Sequence, residues 1–432
     1  MVCQTPVVPP ALPPSQTVEA LVDLVTPGTD VIVPLGNGEP VAFLDALEER
    51  ADSLEGVRIH QMHPLRHRAH HTGRYGDRLR HVSYFLSPEI REDFRSGHLD
   101  LIPNDFHRVP ALLQRRCRKP LVVVASSPPD HLGIVSMGVT ADYAAALLDR
   151  FPVAVEVNPA MPRTGGRHQV SLSDAVGWTT AATDLVEVQL REPDDVDRSI
   201  AGFVAERIPN GATVQIGLGS VPSAVVDLLG DHRDLRIHTE LFGDALMGLV
   251  ESGAVRLTDA SNEPAVVTTT AFGTRALYQW LGEEDLVSFR SVEVTNSPRV
   301  IGDLPQVCAI NATMQVDLLG QCASESLGHH YVSSSGGQAD FLRGAQLADD
   351  GQSFIVTRST ALDGTVSRIV ADLAPGSVVT GHKNLVDKVV TEYGVAELEG
   401  RTVAERAEAL IAIADPRFSD DLERASRQLA GH

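Results

Sequence analysis

Cysteine is scarce in this sequence, and what there is lies scattered: Cys3, Cys117, Cys308 and Cys322 form no CxxC pair. That spacing excludes a cysteine-built zinc site and a disulfide framework, and it fits a reducing compartment, so a cytoplasmic protein is expected. Long apolar runs are missing as well. The stretch LVVVA at 121–125 falls far short of the roughly 20 residues that cross a bilayer, and no membrane association is expected. The opening MVCQTPVVPPALPPSQ lacks the basic and apolar regions of a signal peptide, which predicts a loose arm over residues 1–17 and no export. Positive charge is also short. With 36 Lys and Arg against 57 Asp and Glu, the net charge of −21 argues against nucleic acid, whose phosphates need a basic face.

What is present reads as a globular protein. Hydrophobic residues make up 43% and charged ones 22%, an ordinary folded composition. A chain of 432 residues exceeds one core, because domains of about 100–200 residues are the rule.

The same pattern is written twice. PGTDVIVPLGNGEPVAFLDAL at 27–47 is answered by PNGATVQIGLGSVPSAVVDLL at 209–229, each a turn, an apolar strand, a GxG loop and an amphipathic helix. VRIHQM, ending at Met62, is then answered by LRIHTE, ending at Glu240. Two weaker echoes follow: residues 87–104 with 297–311, and DHLGIVSMG at 130–138 with DLLGQCASESLG at 317–328. The expected fold is therefore two similar open α/β domains with largely parallel sheets, related by duplication, with a cleft between them. The expected boundaries are an arm at 1–17, a first domain at 18–190, a polar linker at 191–199 and a second domain at 200–432.

The duplication is asymmetric at one telling position. Where the first copy ends its strand on Met62, the second places Glu240, at the sheet edge where α/β proteins gather ligands. A glutamate there could instead cap the next helix. QIGLGSVP with an acid about 20 residues on resembles a dinucleotide fingerprint, but the third glycine is absent and Pro222 stands near its place. Gly217 and Gly219 could equally make a tight turn. SSSGGQADFLRGAQ at 333–346 could supply backbone N–H groups to an anion or be a flexible loop, and Asn311 could contact substrate or a turn. Between His60 and His81 lie five arginines with His63, His67, His70 and His71 against one acid, Asp77. That stretch reads as a basic rim for a phosphate-bearing ligand or as a solvated face, and no HExxH accompanies it, so no metal is expected.

Taken together, SSPPDHLGIVSMGVTADY, VEVNPAMPRTGG, IGLGSVP, IHTELFGDAL, VTNSPRVI, INATMQVDLLGQCASESLG, SGGQADFLRGA and VVTEYGVAELEGRTVAERA resemble the acetyl-CoA hydrolase/transferase family of CoA-transferases, the 4-hydroxybutyrate and butyrate type among them. The resemblance implies that Glu240 is a covalent nucleophile that passes through an acyl-glutamyl anhydride and a glutamyl-CoA thioester. It also implies supporting roles for Asn311 and Gly337 in catalysis, and for Gln215, Gly217, Gly219, Ser335, Gly336 and Gln338 in binding CoA or substrate. Acyl-CoA and a small carboxylic acid would be the partners, no cofactor would be permanently bound, and the chain would assemble as a homodimer or homotetramer. Thioester hydrolysis or acyl-CoA binding without catalysis are the alternatives. Gln315, Ser334 and the GHKN stretch at 381–384 depart from the family pattern and point to an altered acid pocket.

Overall fold

The computed structural model describes residues 12–217, 219–259 and 262–429. Two sheets organise them. The first has seven strands, all parallel, in the spatial order Asp100–Leu101, Leu79–Ser83, Val57–Gln61, Asp30–Val33, Pro120–Ser126, Val153–Val157, Gly177–Thr180. The second has eight, in the order Ser288–Phe289, Val266–Ala271, Arg236–Phe242, Thr213–Ile216, Val307–Ala312, Gln352–Val356, Lys388–Thr391, Gly394–Glu397, and only its last pair is antiparallel. In each sheet the strand that comes first in the chain lies between the second and the fifth. The architecture is therefore a duplicated, largely parallel α/β fold. Strands such as LVVVA are apolar without alternation because both faces are covered and buried.

Strand register upholds the main equivalence between the halves. Arg58 pairs with Asp30 on the opening strand of the first sheet, and Arg236 pairs with Thr213 on that of the second. Met62 and Glu240, four residues beyond each arginine, thus occupy matching places. The echo of 87–104 with 297–311 does not hold. Asp100–Leu101 is the edge strand of its sheet, whereas Val307–Ala312 is central; the first-half strand in that central place is Pro120–Ser126. A serine-led turn and a strand recur in both stretches, but they belong to different steps of the topology. The last echo does hold: Asp130 accepts from the amides of Leu132 and Ile134, and Asp317 accepts from those of Leu319 and Gln321, the same side-chain turn after the same strand.

Residues 1–11 of the N-terminal arm lie outside the described chain, but its end is tied down. Trp178 donates its indole N–H to the Pro13 carbonyl, and Thr17 caps the helix Val18–Val22. In the polar stretch 191–199, Asp194 caps a helix, Asp195–Ala205, whose Ile200, Ala201 and Val204 sit in the core of the second half. The halves also share a core. Phe272 and Val292, from the second half, pack among Leu35, Met62, Tyr84 and Phe106 of the first. Gly36 makes this possible: its φ is +59°, and a Cβ there would overlap the Phe272 ring.

Candidate active site

Residues just at or beyond the carboxyl ends of strands in both sheets meet around one cavity of about 230 Å³. From the first half come Leu35, Met62, His63 and Phe85; from the second come Gln215, Ile216, Gly217, Glu240, Leu241, Thr270, Phe272 and Asn311, closed over by the loop 333–338. Ligands collect at this edge of parallel sheets because the strands end there and loops can diverge.

Glu240 stands in the strand Arg236–Phe242. The ladder to the neighbouring strand pairs only Thr213 with Arg236 and Val214 with Ile237. Beyond that, the Thr239 hydroxyl takes over, donating to the Ile216 carbonyl at 3.1 Å. The next side chain, Glu240, opens onto the cavity. Its Oε2 accepts from the Asn296 amide at 2.8 Å. Asn296 is itself buried, and its Oδ1 accepts from the Thr295 hydroxyl at 2.8 Å. Burial drives the Glu240 carboxyl up from its ordinary value to about 7; the Asn296 hydrogen bond opposes this, the nearby Asp340 charge adds to it, and the Gly337 backbone N–H opposes it. The carboxylate is thus poised near neutrality.

The loop over Glu240 leads into the ten-residue helix Gln338–Leu347, with Gly337 at its N-cap. The positive end of that helix faces the carboxylate. A Cβ at Gly337 would overlap both the Glu240 carboxylate and the Asn296 amide, so a larger residue there would displace the two side chains that form the site. Gly336, at φ +52°, makes the turn into it. Ser335 donates to the Asn104 carbonyl of the first half at 2.7 Å, which ties the loop across the cleft.

Of the residues singled out from sequence, Gln215, Gly217, Glu240, Asn311, Ser335, Gly336, Gly337 and Gln338 all line this cavity. Gly219 does not; it precedes the helix Ser220–Asp227 with φ +132°. Asn311 donates to Gln215 Oε1 at 2.9 Å, so these two amides hold each other. Among the departures from the family pattern, only Ser334 reaches the cavity wall; Lys383 and Asn384 line a separate polar hollow beside Arg401 and Arg406. Asn296, Phe85 and Phe272 were not picked out from sequence, and His63 was read only as a member of the histidine- and arginine-rich stretch, not as part of this cavity. Asn296 was visible only as part of VTNSPRVI, and the three aromatic rings come from strand ends that converge solely in three dimensions.

The stretch from His60 to His81 is a solvated face only in part, with His67, Arg74, Asp77 and Arg78 exposed. His60, His70, His71 and His81 are buried, while Arg68 pairs with Glu39 and Asp45, Arg78 with Asp52 and Arg80 with Asp100. Two groups there hold potential metal donors: His70, His71 and His81, and Asp30, His60 and Cys117. Hydrogen bonds already commit part of each. His71 Nδ1 accepts from the Arg68 amide, which leaves the proton on Nε2, and His60 uses its two nitrogens on Tyr84 and Asp30.

The family models of the acetyl-CoA hydrolase/transferase N-terminal and C-terminal domains match residues 15–186 and 273–426. A succinyl-CoA:cyclohexane-1-carboxylate CoA transferase of Geobacter metallireducens is 38% identical over 94% of this chain and 93% of its own. The chain belongs to the acetyl-CoA hydrolase/transferase family. A second relative in that family, the 4-hydroxybutyrate coenzyme A transferase of Clostridium kluyveri, is 36% identical over 94% of this chain and 95% of its own. RipA from Yersinia pestis superposes with a TM-score of 0.88 at 32% identity, covering 96% of this chain and 97% of that one. Like these relatives, this member of the family is an enzyme of CoA-thioester chemistry, and no helix among its described residues is long and apolar enough to cross a membrane.

Proposed function

We propose that the chain is an acyl-CoA:carboxylate CoA-transferase whose nucleophile is Glu240. The observation that carries this reading is a carboxylate with a pKa near 7, set on the wall of a cavity between two sheets and held by Asn296 and the Gly337 amide. Ionised Glu240 attacks the thioester carbonyl; the C–S bond breaks, CoA leaves as thiolate, and an acyl-glutamyl anhydride remains. The thiolate attacks the glutamyl carbonyl, giving glutamyl-CoA and releasing the first acid as carboxylate. An incoming carboxylate then attacks glutamyl-CoA, expels the thiolate and forms a second anhydride. The thiolate finally attacks the new acyl carbonyl, returning Glu240 and forming the new acyl-CoA. Anhydride and thioester are both activated acyl groups, so the donor's energy is conserved through the cycle. Hydrogen-bond donors around Gly336 and Gly337 suit the charge that develops on the attacked carbonyl.

Transfer is favoured over hydrolysis by the names of both relatives and by a reacting carboxylate recessed from solvent. The test is to incubate the protein with acetyl-CoA, measure intact mass, and map the adduct after borohydride reduction. A CoA-sized gain in intact mass is expected, and after reduction, which expels CoA, the Glu240 side chain is expected to be recovered as the corresponding alcohol. Absence of that gain, with full activity retained in Glu240→Ala, overturns the reading. A panel of carboxylates separates transfer from hydrolysis by whether new acyl-CoA or free CoA accumulates.

A further inference from the structure

We propose that the acyl subsite of this cavity takes the apolar body of a monocarboxylic acid, branched or ring-bearing, in preference to a dicarboxylic acid. The inference rests on the transferase reading above.

The apolar part of the cavity lining is largely aromatic. Met62, Phe85, Leu241 and Phe272 belong to it. His63 completes it: its ring lies parallel to Phe85 at 5.1 Å between centroids and edge-on to Phe272 at 5.3 Å. This placement is built into the backbone. His63 sits at φ +52°, and its carbonyl accepts from the Gly36 amide at 3.1 Å, so the strand end turns sharply and sends the ring between the two phenylalanines. Burial lowers its pKa to about 4, and the imidazole is therefore a neutral, flat surface at pH 7.

What the wall lacks matters as much. Among the described lining residues there is no lysine or arginine, and the ionisable groups are Glu240 and His63 alone. A dicarboxylic acid has to bring a second negative charge past its reacting carboxylate. Here that charge would lose its hydration and meet no cation, two unfavourable contributions at once. An apolar body, by contrast, gains about 25 cal/mol for each Å² it buries. The polar lining is made of neutral groups: Gln215 and Asn311 bonded to each other, Thr270, Ser324 and the loop serines. Such a lining suits a molecule with one carboxyl end and one apolar end. At about 230 Å³ the cavity is smaller than the roughly 300–1,000 Å³ of sites for drug-sized ligands, which points to a small acid, up to about one ring.

The test measures kcat/KM for transfer from acetyl-CoA to pairs of acids of similar size, cyclohexanecarboxylate against glutarate and isovalerate against succinate. The apolar member of each pair is expected to win by at least about tenfold; parity or a dicarboxylate preference overturns the proposal. His63→Arg places a cation on the wall and is expected to move the ratio toward the dicarboxylate by about tenfold or more, and an unmoved ratio in a folded variant counts against it. Binding of the same pairs by ligand-observed NMR reads the pocket without turnover: tighter binding of the apolar acid supports the subsite, and equal or tighter binding of the dicarboxylate overturns it. A CoA adduct at Glu240 combined with dicarboxylate preference sinks the subsite alone. The absence of that adduct, with full activity retained in Glu240→Ala, sinks the transferase reading.

Discussion

His107 Nδ1 lies 2.7 Å from Asp340 Oδ1 across 233 residues of sequence, and the His107 amide donates to the other oxygen at 3.0 Å. Asp340 is fully buried in the first turn of the helix that carries Gly337, and its charge is one of the influences raising the Glu240 pKa. Beside it, Arg343 pairs with Asp105 at 3.0 Å. The segment 104–107 of the first half thus fastens the helix whose N-terminus faces Glu240.

Removing the imidazole leaves a buried carboxylate short of its partner. His107→Ala is expected to destabilise the protein by about 3 kcal/mol, read from denaturant unfolding. It should also move the acid limb of the pH–rate profile, because the Asp340 charge and the helix position both bear on Glu240. A stability loss with an unmoved limb would make the pair purely structural.

Transfer requires ionised Glu240, so wild-type kcat/KM is expected to fall as pH drops through about 7. Glu240→Gln should lose at least about a thousandfold in kcat while keeping the fold, since a glutamine side chain can still accept from Asn296.

The same substitution reports on stability. A carboxyl whose folded pKa lies above its unfolded value contributes stability below about 4.5, and that contribution is lost as pH rises through about 7. Glu240→Gln is therefore expected to raise Tm relative to wild type at pH 8 by a few degrees and to leave it nearly unchanged at pH 4.5. A uniform shift at both pH values would contradict the raised pKa.

Asn296→Ala removes the hydrogen bond that favours ionised Glu240. The acid limb should move to higher pH and kcat should fall roughly tenfold through lost positioning. Asn296→Ser, which retains a donor, should recover part of both.

Gly337→Ala puts a methyl where the Glu240 carboxylate and the Asn296 amide lie. The expected outcome is a loss of kcat of at least about a hundredfold, with Tm changed by only a few degrees. Normal turnover would mean that the loop is free to move away.

The duplicated pattern in the sequence determined the fold class and the place of Glu240. Register follows from local patterning, and Arg58 and Arg236 pair equivalently with their opening strands, so Met62 and Glu240 could be matched without coordinates. The match of 87–104 with 297–311 failed because similar local strings sit on an edge strand in one sheet and a central strand in the other, and strand order is a long-range property. Charge along 60–81 misled in part for the same reason: the acids that pair with Arg68, Arg78 and Arg80 and the packing that buries His60, His70, His71 and His81 come from elsewhere in the chain. Only the tertiary structure decided the rest. The Glu240 pKa comes from burial under a loop about 100 residues away, Asn296 reaches it from another element, and the aromatic wall forms where strand ends of two sheets converge. Sequence periodicity encodes which face of a strand is apolar; it carries no record of which distant face it will meet.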